Sequence, residues 1–550
     1  MALKIPQGGA NLFKEGYNMQ SGIEEAVIRN IHAVAELAEI VRTSFGPNGR
    51  NKMVINHLDK LFVTSDAATI IRELEVVHPA GKVLVMASQQ QEHEMGDRTN
   101  LVLILAGELL RKAEYLLTMG LHPSEVVLGY ELARDRAIEE LEKLTVRTLE
   151  TPLTKESLTL ALRPTLAAKQ YGSEDLLSRL VSEAVMAVMP KDPRAFNVDN
   201  VRVVKIMGGG LSQSRVIRGM VFGREPEGTV HKATNAKVGV FTCGIDIAQT
   251  ETKGTVLLKN SDELLNFSRG EEQHMEKIFQ ELADSGLNVV VAGSSVGELA
   301  LHYLNRHNIL VVKVLSKFDL RRLCRVVGAT PLARLGAPTP DEMGQCDVVE
   351  TVEIGGDRVT VFRQADEATR TATVVVRGAT TNHMDDIERA IDDGVNVVKG
   401  VLKDSRLVPG AGATELELAK RVAAFGEKTP GLAQHAIKRF ADALEVVPRT
   451  LAENAGLDAT DVLSKLYAAH QADDQGHAGV DVEGENGGIL DAPAAEIYDL
   501  LAATRWALRY GVDAAISVLR VDSIIMSRAA GGPAPPKQGG PGGGHWDDQD

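Results

Sequence analysis

The order of apolar and polar residues divides the chain into three textures. Between residues 20 and 45, Ile23, Ala26, Val27, Ile31, Val34, Leu37, Ala38 and Val41 recur at the 3.6-residue spacing of one helix face. "TSFGPNGRNKMVINHLDKLFVTSDAATIIREL" then predicts a Gly-Pro loop, two short strands and a helix beginning near Ser65–Asp66. "MGDRTNLVLILAGELL" predicts a helix apolar on all sides, and amphipathic helices continue to about residue 145. From about 215 to 365, β-branched runs such as "KVGVFTC", "NVVVAG" and "ILVVKV" alternate with helices, predicting an α/β region with a mainly parallel sheet. "RVTVFRQ" and "ATVVVRG" lead into a helix over 383–402, and mostly helical sequence fills 412–526. This order predicts a discontinuous domain whose two halves, from the two ends of the chain, meet in space. The Pro/Gly-rich residues 531–550 cannot bury a core and are expected to be disordered.

A length of 550 residues implies two to four domains. A net charge of −15 and only 4% aromatic residues disfavour nucleic-acid binding, by backbone attraction or by base stacking. No run approaches the roughly 18 apolar residues of a membrane span, and the N-terminus lacks an apolar signal core. Cys243, Cys324 and Cys346 have neither disulfide nor zinc spacing; they read as small buried hydrophobes in a reducing compartment, so the expected location is cytoplasmic.

Familiar phosphate motifs are missing: there is no GxxxxGK[ST], "HEMGD" fails as HExxH, and "GGGLSQS" and "GAGATE" lack dinucleotide-fingerprint spacing. Weaker features remain. "GPNG" at 46–49 follows a helix and could turn backbone N–H groups toward an anion, or could be a plain turn. Gly410 and Gly412 precede another helix. Asp97 and Thr99 open the buried helix, where they serve either as an N-cap or as part of a metal–phosphate site. Asp66 and Asp393 also lie at or on helices, and spacing alone does not bring 66, 97 and 393 together.

Taken jointly, "GPNGRNKMVINHL", "DAATI", "MGDRTNLVLILAGELL", "NVDNVRVVKIMGGG", "LVPGAGATELELAK" and "AAISVLRVDSIIM" resemble the group II chaperonins over residues 10 to 530. Within that group the chain resembles the eukaryotic cytosolic chaperonin. The resemblance implies a helical equatorial ATPase domain (1–151 and 403–530), an α/β intermediate hinge domain (152–216 and 368–402), and an α/β apical client-binding domain (217–367). A lid protrusion is expected at about 245–275, with Leu257, Leu258, Leu264, Leu265 and Phe267 as contacts. The resemblance also implies a hetero-oligomeric double ring with other chaperonin subunits, ATP and Mg²⁺ as cofactors, unfolded clients such as actin and tubulin, and prefoldin-type co-chaperones.

Residue by residue, the resemblance makes Ser44, Gly46, Pro47, Gly49, Asp97, Arg98, Thr99, Asn100, Gly410, Gly412 and Asp499 nucleotide-binding. Asp97 is the Mg²⁺ ligand, and Asp66 and Asp393 orient the attacking water. Asp499 is preferred to Asp491 for its spacing to "WALRYGVDAA". Ala67 and Ala411 stand where the family has glycine. So does Arg98, which is expected to contact Asp97 or phosphate; a ring member that binds nucleotide but hardly hydrolyses it is the alternative this residue keeps open. In the apical region, Glu298, Leu301, His302, Asn305 and Arg306 are expected to face client.

Overall fold

The computed structural model describes residues 18–21, 23–150, 152–246, 260–364, 370–472, 476–484 and 488–526. The helices Ile23–Arg42, Thr99–Thr118, Pro123–Lys143, Ala433–Leu444 and Leu501–Leu519 share one apolar core, so the two ends of the chain do meet. Strands Asn18–Ser21 and Ser523–Met526 pair antiparallel, tying those ends together. The buried helix Thr99–Thr118 runs through the centre of this core, with Leu101 to Gly107 all shielded. Its Gly107 permits close packing, because a Cβ there would lie 2.4 Å from the Ala38 Cβ. Lys52–Ile55 and Leu61–Thr64 are the two expected strands and pair as an antiparallel hairpin, which carries exposed Met53, Ile55 and Leu58.

A second core joins helices Lys155–Lys169, Glu174–Val188 and Thr381–Lys403 to strands Val201–Met207 and Ala372–Gly378. In the last helix, Met384, Ile387, Ile391, Val395 and Val398 form the expected apolar stripe and are all buried. The strands belong to a nine-stranded sheet that continues to the far end of the molecule, in the order Val201–Met207, Ala372–Gly378, Arg215–Phe222, Asp357–Arg363, Gly344–Ile354, Lys232–Phe241, Val289–Ala292, Leu310–Lys313; Pro331–Leu332 pairs beside Lys232–Phe241.

This sheet is mixed, not mainly parallel as expected. Lys232–Phe241, Val289–Ala292 and Leu310–Lys313 run parallel, and over Val238–Phe241, Val289–Ala292 and Leu310–Val312 both faces are buried, which explains the unbroken apolar runs. Gly344–Ile354 and Asp357–Arg363 are antiparallel. The turn between them, Gly355 (φ +68°) and Gly356 (φ +96°), has the two left-handed residues of a tight hairpin, a signal present in "VEIGGDRVTV". Cys324 and Cys346 are buried and Cys243 is half-buried, and all three are free thiols.

In the far part, Met275, Phe279 and Leu282 of helix Ser261–Asp284 pack on the sheet as expected. The helix Glu298–Arg306 buries Ala300 and Leu304 and exposes Glu298, His302 and Arg306. Two of its expected client-facing residues are engaged otherwise. Leu301, three residues from Leu304 and so on its flank, packs against the apolar cluster, and the Asn305 side-chain oxygen accepts from the Thr229 N–H (3.1 Å). Leu257, Leu258, most of the expected protrusion's first half and the tail 531–550 lie outside the described residues, as do the side chains of Leu264, Leu265 and Phe267.

Candidate functional site

Chain segments far apart in sequence line one cavity of about 450 Å³: Ser44, Gly46 and Pro47; Asp97 to Asn100; Thr165, Lys169 and Tyr171; Ala411, Gly412 and Glu415; Asp481 and Glu483; and Asp499. The first wall is the loop after helix Ile23–Arg42. Gly46 has φ +81° and would drive a Cβ to 2.5 Å from Leu451. Gly49 does not line the cavity; it closes the turn behind it, donating to the Gly46 carbonyl (3.0 Å). Asn100 locks this loop to its neighbour: its oxygen accepts from the Ala67 N–H (3.1 Å) and its amide donates to Ser44 Oγ (3.2 Å).

The opening of helix Thr99–Thr118 differs from a capped helix end. The cap position is Arg98, at φ +63° and without a side-chain capping bond. Asp97 instead stands one residue earlier, its carboxylate accepting from the Arg98 N–H (2.6 Å) and from Thr165 Oγ1 (3.0 Å). The free N–H groups of the first turn are therefore left to the cavity, the arrangement that favours an anion. Asp66 is the residue that caps, accepting from the Thr69 N–H (3.0 Å).

Asp66 and Asp393 do come together, although neither lines the cavity. Lys169, which does, bridges them: its Nζ lies 2.9 Å from Asp66 Oδ1 and 2.8 Å from Asp393 Oδ2. Thr99 Oγ1 also donates to Asp66 (3.3 Å). Burial works against the charge of Asp66, yet Lys169 and the two Thr69 donors outweigh it and hold the carboxyl below the ordinary range. Burial, against Lys169 and reinforced by Asp66, puts Asp393 well above that range. Lys169 is buried as well, but the two acids keep it charged.

A second charged cluster sits in the same cavity. The Arg98 guanidinium donates to Glu415 Oε1 (2.8 Å) and pairs with Asp499. Only its backbone N–H reaches Asp97, so the expected side-chain contact with Asp97 is not made; the two acids across the cavity draw the guanidinium away. Burial pushes Asp499 up to about 7 against the pull of Arg98, with Glu415 and Asp97 adding repulsion. Asp491, the rejected candidate, is exposed in the hairpin Ala478–Val480/Ile489–Asp491 and does not line this cavity, although its neighbour Leu490 does. Gly410 is not in the wall, but a Cβ there would come within 3.3 Å of Asp499, so it lets the strand carrying Asp499 approach.

The sequence model of the TCP-1/cpn60 chaperonin family matches residues 37–529. The chain belongs to this chaperonin family. It is 58% identical to a probable T-complex protein 1 subunit theta of Schizosaccharomyces pombe, over all of both chains. It is 55% identical to T-complex protein 1 subunit theta of Saccharomyces cerevisiae, again over all of both, and 52% identical to that of Homo sapiens, over 100% of this chain and 99% of the other. Chaperonins as a family are nucleotide-dependent and generally ATPases, and the cavity of this chaperonin chain has the matching chemistry: N–H donors, cationic side chains and carboxylates around a space. No group of three or more His, Cys, Asp or Glu residues among the described residues could hold a metal by itself. Asp97 offers one carboxylate to the cavity, and Mg²⁺ is commonly held by one or two carboxylates with phosphate and water completing its shell, so the residues fit. No helix among the described residues is long and apolar enough to cross a membrane.

Sequence reasoning missed Lys169 and Glu415. Lys169 ends an amphipathic helix, where a basic residue is ordinary, and only the fold places it between two acids. Glu415 had a faint signal: an acid in the first turn after a glycine loop, which is buried at 1% exposure instead of solvated.

Proposed function

We propose that this chain is an ATP-hydrolysing subunit of a cytosolic, hetero-oligomeric double-ring chaperonin that encloses and folds proteins such as actin and tubulin. Its partners would be the other chaperonin subunits and prefoldin-type co-chaperones. In this reading residues 1–151 with 403–530, 152–216 with 368–402, and 217–367 act as equatorial, hinge and apical units. The observation that carries it is the meeting of 44–47, 97–100, 165–171, 411–415 and 499 around one cavity, with Asp66 and Asp393 behind Lys169. The exposed apolar hairpin at Met53, Ile55 and Leu58 supports assembly, since an uncovered two-stranded edge suits strand addition by a neighbour.

The chain's own groups divide the work. The N–H groups of the Thr99 turn and the Gly46 loop receive the phosphates, and Thr99 Oγ1 stands beside Asp66. Asp97, held by Thr165, is the side chain that would bind Mg²⁺, which supplies neutralisation of charge on the phosphate oxygens. Lys169 is a charged group shared between the cavity and the two buried acids. A phosphate competing for that ammonium loosens Lys169 from Asp393, and an unpaired Asp393 carboxylate can accept a proton from a water it orients. Asp393 and Lys169 lie on helices of the second core and Asp66 in the first, so this exchange is coupled to the fit between the two cores. The test is Asp393→Ala in this chain within the assembled ring. Nucleotide should still bind, while the share of hydrolysis from this subunit is lost; unchanged turnover with bound nucleotide would remove Asp393 from the reaction.

A further inference from the structure

Arg98 is the part of the cavity that this reaction does not use. Its backbone sits at φ +63°, where a side chain is tolerated at a cost and glycine fits freely. The guanidinium does not follow the helix start toward the phosphates. It runs across the cavity to Glu415 and Asp499, and its own side chain is only 12% exposed. Glu415 is shielded, and its Oε2 has no hydrogen-bond partner among the described residues.

We infer that Arg98 takes the place at Asp499 that a nucleotide's sugar hydroxyls would otherwise occupy, making it the residue that sets nucleotide affinity and sugar selectivity in this chain. The inference rests on the nucleotide reading of the cavity. Phosphates belong with Lys169 and the free N–H groups of the Thr99 turn, because the acids at Lys169 stand behind the wall whereas Glu415 and Asp499 line it and repel them. Asp499 and Glu415 are acceptors, so that wall faces the donors of the nucleoside. Arg98 follows directly on Asp97, and Asp499 lies one arginine side chain away. This is the reach from a phosphate subsite to a sugar, short of a base edge. A charge-assisted pair with a planar guanidinium outcompetes a neutral hydroxyl for the same carboxylate. The guanidinium has no acceptor to offer the hydroxyl in return. A bound sugar must therefore leave Asp499 paired and forgo the bond, or displace a cation from two buried acids, and either way its hydroxyls contribute little.

The experiment uses the assembled ring and reads binding, not turnover. ATP and 2′,3′-dideoxy-ATP compete against 8-azido-ATP photolabelling of this subunit, in the unmodified chain, in Arg98→Gly, and in Arg98→Gly with Glu415→Gln. The double variant leaves no unpaired glutamate charge and guards against misfolding. The unmodified chain should prefer the ribonucleotide by no more than about two-fold, and both variants by about ten-fold or more, the gain of a buried hydrogen bond to a charged acceptor. ATP itself should bind more tightly to both variants. An unchanged sugar preference overturns the inference, and weaker ATP binding at unchanged preference would make Arg98 a phosphate ligand instead. If this subunit is labelled in none of the three rings while its neighbours are, the nucleotide reading of the cavity fails with it.

Discussion

Two clusters in one cavity have the same charge arithmetic, one buried cation between two buried acids, and differ in the cation. Lys169 joins Asp66 of the first core to Asp393 of the second. Arg98 joins Glu415, on a helix that packs into the first core, to Asp499, on a strand whose Tyr498 and Leu500 pack into the second. The lysine is a point charge on a flexible stem and can serve two acids or one phosphate from nearly the same position. The arginine is a rigid fork set on a left-handed backbone, suited to holding one geometry. Both clusters therefore reach from one core to the other, and the first reads as a movable joint and the second as a fixed fitting.

The comparison predicts unequal costs of removal. Lys169→Ala leaves Asp66 and Asp393 buried without a cation and should cost about 3–5 kcal/mol in urea unfolding of the purified chain. Arg98→Gly also strands two acids, but it relieves the left-handed strain, so about 1 kcal/mol of a similar loss is returned. Arg98→Gly being the more damaging of the two would reverse the assignment of joint and fitting.

The next effect is on pH dependence. Folded Asp499 titrates at about 7, above its unfolded value, so between about pH 4 and 7 the folded chain keeps a proton that the unfolded chain has lost. Its contribution makes stability fall as pH rises through that window, by a slope approaching one proton. Asp499→Asn should remove that part of the slope in unfolding measured across those pH values; an unaltered slope would mean that Arg98 keeps Asp499 ionised throughout.

Smaller effects test the cavity's edges. Thr165→Val removes one hydroxyl from Asp97 and should cost about 1.5–3 kcal/mol in the same unfolding assay, the range for a hydrogen bond to a charged group. Tyr171 and Glu483 meet at the cavity wall, hydroxyl to carboxylate at 2.8 Å, but the pair is exposed. Tyr171→Phe should shift stability by less than about 0.5 kcal/mol, as exposed polar pairs do. A larger loss would add a third connection to the two compared here.

Much of the architecture was legible. The 3.6-residue stripe of Ile23 to Val41 became a helix over Ile23–Arg42, and the stripe on 383–402 became Thr381–Lys403. The strands were visible too, but their directions were read from the helices between them. The Gly355–Gly356 turn, which makes part of the sheet antiparallel, was passed over. Among candidate site residues, Ser44, Gly46, Pro47, Asp97 to Asn100, Gly412 and Asp499 line the cavity, while Gly49, Gly410, Asp66 and Asp393 stand behind it.

By itself, the sequence determined which segments are helix, strand or turn and which residues were worth suspecting, because apolar period, glycine and helix-end chemistry act over a few residues. Only the tertiary structure decided that Lys169 stands between Asp66 and Asp393, that Glu415 is buried, and that Arg98 turns away from Asp97. These are pairings across separations such as 103 and 317 positions. A charged side chain has the same local sequence signal whether it meets water or another charge. Its partner is chosen by the packing of cores that no short window contains.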